Sequence, residues 1–131
     1  MSNYKIIVFI GLFFSFSANG QTSDNPEIFK EEIEDFQKAD EVQQPEAGGI
    51  VFTGSSSIRG WRSLEQDFPD KLVINRGFGG SRIGDATYYF DEIIQKYNPK
   101  QVVFYSGEND IAAGKTAEET FSAFIRFYEK F

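Results

Sequence analysis

Three short apolar runs, Ile50 to Thr53, Leu72 to Ile74 and Val102 to Tyr105, constrain this chain more than any other feature of it. Each run is continuous rather than alternating, as strands are when both of their faces are covered. Helical patterns accompany them. Asn25-Pro26 reads as an N-cap followed by a first-turn proline, and Ile28, Phe29, Ile33, Phe36 and Ala39 recur at helical spacing, which predicts a helix from about Pro26 to Asp40. Ile83, Ala86, Phe90, Ile93, Ile94 and Tyr97 trace one face of a second helix, which Asn98-Pro99 ends. Thr116 and Glu119 form a capping box, and Phe121, Phe124, Ile125 and Tyr128 give the helix behind it an apolar face. Strands alternating with helices imply a parallel α/β sheet.

Three strands are few for such a sheet, and the aromatic face of the last helix needs a cover. With Phe131 ending the sequence, the pattern predicts a fold that breaks off after the third strand and its following helix. No internal repeat or low-complexity tract divides the chain. Its 131 residues, 40% hydrophobic and 17% aromatic, suffice for one packed core.

The first 20 residues stand apart. Lys5 precedes an apolar run from Ile6 to Phe16, and Ala18-Asn19-Gly20 offers a small-x-small cleavage pattern. The run is short for a bilayer span, so residues 1–20 are expected to be an export signal and residues 21–131 the mature domain, incomplete at its C-terminal end. A periplasmic or secreted location follows, without a membrane span once the signal is removed; an uncleaved anchor is the alternative. The formal charge of -7 becomes one unit more negative when Lys5 is lost, which disfavours nucleic acid as a partner. Neither cysteine nor histidine is present. Disulfides, thiolate metal sites and the usual base of serine chemistry are therefore missing from these residues.

In an open parallel sheet, sites form at the carboxyl ends of strands. Gly54-Ser55-Ser56-Ser57 follows the first run, Asn75-Arg76-Gly77-Phe78-Gly79-Gly80-Ser81 the second, and Ser106-Gly107-Glu108-Asn109-Asp110 the third. A serine at such a corner is exposed to substrate, as an acyl-transfer nucleophile must be. A Gly-Gly pair lets a backbone N–H face a developing oxyanion, and an asparagine carboxamide adds a second fixed donor. Taken singly, each stretch is ordinary turn or cap chemistry. Trp61 reads as core packing, and Arg59, Arg62, Arg76 and Arg82 as surface or salt-bridge residues rather than an anion clamp. Ile58 breaks the G-x-S-x-G elbow, and Arg82 breaks a dinucleotide fingerprint begun at Gly77.

The three blocks together, "IVFTGSSSIRGW", "VINRGFGGS" and "VVFYSGENDIAAGKT", resemble those of the GDSL or SGNH hydrolases, in particular exported bacterial members with GSSS in the first block. The resemblance runs from about Gly49 to Thr120. It implies a flavodoxin-like three-layer fold and hydrolysis of small-molecule esters, acyl lipids or acetylated carbohydrates, with no cofactor and no metal. By position it assigns the nucleophile to Ser56, and the oxyanion hole to the Ser56 N–H, the Gly80 N–H and the Asn109 side chain. Ser55 stands where the family usually has aspartate. The D-x-x-H block, with the catalytic acid and base, is not among these residues, so the chain is expected to be the amino-terminal part of such a hydrolase and inactive alone. A flavodoxin-like module holding a flavin phosphate at Thr53 to Ser57, and a catalytically dead remnant, are the other readings.

Overall fold

Runs that are apolar on both faces must be covered twice, and the chain does so with helices on either side of a parallel sheet. The computed structural model describes residues 5–9 and 25–131. Its four strands are β1 (Lys5–Phe9), β2 (Ile50–Gly54), β3 (Val73–Gly77) and β4 (Gln101–Tyr105), in the order β1-β4-β2-β3 and parallel throughout. Gly54 lies level with Gly77 on one side and Tyr105 on the other, so β2, β3 and β4 end in one row. The helices are α1 (Lys30–Val42, entered by a 3₁₀ turn Pro26–Phe29), α2 (Ser56–Arg59), α3 (Leu64–Asp67), α4 (Ile83–Tyr88), α5 (Phe90–Ile93), α6 (Glu108–Ala112) and α7 (Ala117–Tyr128).

Strand side chains alternate between two cores. Val51, Val102 and Phe104 join Phe29, Ile33, Phe78, Phe90, Ile93 and Phe127 under α1, α4, α5 and α7. Phe52 and Val73 join Ile58 and Leu64 under α2 and α3, with Trp61 and Phe68 packed against them. Trp61 thus serves the core, its ring edge-on to Phe52 at 5.7 Å. This is the three-layer α/β arrangement the sequence predicts.

Three details depart from the sequence reading. A fourth strand, Lys5–Phe9, pairs with β4 at the edge of the sheet where three strands were expected; it lies within the segment expected to be an export signal. The remainder of that segment lies outside the described residues. The helix expected from Ile83 to Tyr97 is broken into α4, α5 and a 3₁₀ turn, at Tyr89 (ψ 18°) and Ile94 (φ -133°). Tyr89, Phe90, Ile93 and Ile94 are all buried, so the break keeps the apolar residues of this segment on the core. In α7 the capping box forms as predicted, but the buried residues are Ala123 and Phe127, with Phe124 only partly covered; Phe121, Ile125 and Tyr128 face outward. Phe127 wins that place by stacking on Phe104 at 4.0 Å and meeting Phe90 edge-on.

Arg76, read as a surface or salt-bridge residue, is the second of these: it is buried and pairs with Asp40. Its guanidinium bonds Asp40 of α1, the Tyr97 hydroxyl (2.7 Å) and the Asn75 carbonyl (2.7 Å), and lies over the Phe36 ring. Lys96 reaches the other Asp40 oxygen at 2.6 Å. This cluster ties α1 and the turn at Tyr97 to the outer edge of β3. Arg62 is exposed, whereas Arg82 is buried.

Burial alone would raise the Asp40 pKa, but hydrogen bonds from Lys96 and Tyr97 and the Arg76 charge outweigh it and lower it below 3.8. A depressed carboxylate stabilises the fold above its unfolded pKa and stops doing so as pH falls through the folded one. Asp40→Ala, which strands the buried Arg76 guanidinium, is expected to cost about 3 kcal/mol at pH 7. By urea denaturation the gap from the parent chain should narrow as pH drops below 3.8, and a gap that widens there would contradict this account.

Candidate active site

The level ends of β2, β3 and β4 put three loops side by side, and the first is shaped by a glycine. Gly54 has φ +129°, and a Cβ there would stand 1.8 Å from the Tyr105 carbonyl oxygen. Only glycine lets β2 finish this close to β4. The chain then turns through Ser55, whose N–H donates to that same Tyr105 carbonyl (3.0 Å), into α2. Ser56 opens α2 and is exposed, as is Ser57. Asn75 of β3 clamps the other end of α2, its Nδ2 donating to the Ile58 carbonyl at 2.6 Å.

The loop after β3 is held from three sides. Phe78 N–H donates to the Gly54 carbonyl (3.1 Å), and the fully buried Ser81 hydroxyl lies 3.1 Å from both the Gly54 and Phe78 carbonyls. Gly79 N–H donates to Glu32 of α1 (3.1 Å), the carboxylate that also pairs with Arg59 (3.1 Å). Gly80, at φ +65° with open space around it, is exposed, and its N–H meets no protein acceptor among the described residues.

The third loop leads into α6. Asn109 Nδ2 donates to the Ser81 carbonyl at 3.0 Å, which leaves its second N–H for another acceptor. Asp110 is 5% exposed and accepts from the Ile83 N–H (3.1 Å), joining α6 to the start of α4. Burial raises its pKa, against the pull of that bond and of Arg82. Glu108 accepts the hydroxyl of the buried Ser55. Among the described residues no group of three carboxylates gathers as a metal site.

Hydrogen bonds through Ser81 thus link the loops bearing Ser56, Gly80 and Asn109, the three residues singled out by sequence. Ser81, Glu32, Asn75 and Glu108 were not singled out for any role. The partners that tie them to other loops lie 17 to 53 residues away, so no local pattern marks that role. Only the neighbourhood of Ser81 and Glu108 to the glycine and asparagine motifs could have drawn attention to them.

Gly54→Ala should lower stability by about 3 kcal/mol or more, because the new methyl meets backbone rather than a movable side chain. Ser81→Ala should cost about 1–2 kcal/mol and leave the secondary structure unchanged. Urea denaturation with circular dichroism checks both, and a neutral Gly54→Ala would show that the approach to Tyr105 is not tight.

No family model matches the sequence, and no curated protein matches it. Solved structures do. A protein from Streptococcus pneumonia assigned as a platelet activating factor superposes with a TM-score of 0.63 at 19% identity, covering 79% of this chain and 50% of its own. An assigned acylhydrolase from Bacteroides fragilis gives 0.58 at 23% identity over 79% of this chain and 50% of its own. A GDSL-like lipase from Bacteroides thetaiotaomicron gives 0.57 at 25% identity over 80% and 51%. The chain therefore spans about half the length of these structures, and over that length it has the fold of the GDSL/SGNH hydrolases.

Proposed function

We propose that the chain is the nucleophile-bearing part of an exported serine ester hydrolase. The observation that carries this reading is the hydrogen-bonded path from Gly54 through Ser81 to Asn109, which draws an exposed serine, an open Gly80 N–H and a half-used carboxamide to one end of the sheet.

In this reading the Ser56 oxygen attacks the acyl carbon of a small ester. The carbonyl π bond opens and its electron pair moves onto oxygen, where the N–H groups of Ser56 and Gly80 and the free N–H of Asn109 stabilise it. Collapse of the tetrahedral species expels the alcohol and leaves an acyl-serine, which water cleaves to release the acid. A base must take the Ser56 proton, and a proton must reach the leaving alkoxide. No histidine among the 131 residues can do either. Loss of such a base costs on the order of a millionfold in a serine protease.

The chain as it stands should accordingly hydrolyse p-nitrophenyl acetate at close to the uncatalysed rate. Robust hydrolysis that Ser56→Ala abolishes would contradict the need for an outside base. Phenylboronic acid tests the nucleophile without requiring turnover, because the serine oxygen adds to boron to form a tetrahedral anion, its hydroxyl proton passing to the buffer base in place of the missing histidine. A tetrahedral boron-11 NMR signal is expected with the parent chain and should vanish with Ser56→Ala. A signal that survives that substitution would overturn the assignment of Ser56.

A further inference from the structure

The residue before the nucleophile and the residue before the carboxamide touch each other. Ser55 opens α2 in the N-cap position, where a serine side chain normally accepts a backbone N–H from its own helix. It makes no such cap. Its hydroxyl donates instead to Glu108 Oε1, across 53 residues of sequence, and the side chain is wholly buried. A buried hydroxyl left without a partner is costly, and a bond to a carboxylate is stronger than one to a neutral acceptor. Ser55 is also fixed at its N–H by Tyr105 of β4. The peptide that leads into Ser56 is therefore tied to β4 and to α6, the element that carries Asn109.

We propose that Glu108 is a positioning residue: by accepting the Ser55 hydroxyl it sets the Ser56 corner in register with the Asn109 carboxamide. This rests on the reading of Ser56 and Asn109 given above. The two groups sit on separate loops, and Ser81 joins them only through the Gly54 carbonyl, one residue before the corner, and through the Asn109 side chain. The Glu108–Ser55 bond is the direct strut between the two. A carboxamide at 108 can still accept the hydroxyl, whereas a methyl cannot. Neither Ser55 nor Glu108 needs to touch substrate in this role.

The test is the affinity of the 131-residue chain for phenylboronic acid, read by boron-11 NMR, with melting temperature measured in parallel. Glu108→Ala should weaken binding about tenfold, the loss of one charge-assisted hydrogen bond. Glu108→Gln should stay within about twofold of the parent, since its side-chain oxygen replaces the acceptor. Ser55→Ala should match Glu108→Ala, and the double variant should be no weaker than either single one, because both remove the same bond. Should Glu108→Ala melt early because it leaves the buried Ser55 hydroxyl without an acceptor, Ser55→Ala, which removes that hydroxyl and leaves only the half-buried Glu108 carboxylate to be solvated, carries the comparison.

Parental affinity in both Ser55→Ala and Glu108→Ala overturns the proposal, as do losses that multiply in the double variant. Those results leave the esterase reading intact so long as Ser56→Ala still abolishes the signal. Binding that persists in Ser56→Ala removes the esterase reading and the positioning role with it.

Discussion

The carbonyl of Gly54 is the point on which the site hangs. It ends the central strand β2, and both of its acceptor positions are filled by the loop after β3, from the Phe78 N–H and the Ser81 hydroxyl. The Phe78 N–H is its firm donor, while the Ser81 hydroxyl shares one proton between this carbonyl and that of Phe78. Gly54 can finish so close to Tyr105 only because it lacks a Cβ. Steric need and hydrogen bonding therefore converge on one residue, and the Ser56 corner inherits its position from it.

From that point the connections spread through side chains rather than through regular structure. Ser81 passes its own carbonyl to Asn109, Glu32 of α1 holds Gly79, Asn75 holds the end of α2, and Glu108 holds Ser55. Each contact bridges distant parts of the sequence. The short helices α2 and α6 have little helical hydrogen bonding of their own, so these bridges are what orient them. The Asp40 and Arg76 cluster performs the equivalent task at the far edge of β3, where α1 and the Tyr97 turn meet the sheet.

Much of the architecture could be read from local pattern. Continuous β-branched runs marked β2, β3 and β4, and the Thr116 to Glu119 box marked the start of α7, because both signals arise within a few residues. The three loops were legible as neighbours at the strand ends because glycine, serine and asparagine are unusual together there. What escaped depends on competition between surfaces. In α7, Phe127 outcompetes the predicted stripe because Phe104 offers it a stacking partner. Lys5–Phe9 illustrates a shared composition, since an apolar run of that kind suits an export signal and also the edge of β4. The partners of Arg76, Asp40 and Tyr97, were not legible because they are 36 and 21 residues away.

The central claim is that the Ser56 N–H, the Gly80 N–H and the Asn109 carboxamide face one small volume. Nitrogen-15 NMR of the labelled chain during a titration with phenylboronic acid tests this most directly. The account predicts that those three resonances move together, along one binding curve, while amides around the Asp40 cluster stay still. Movement of the Ser56 signal with no response from Gly80 or Asn109 would contradict it.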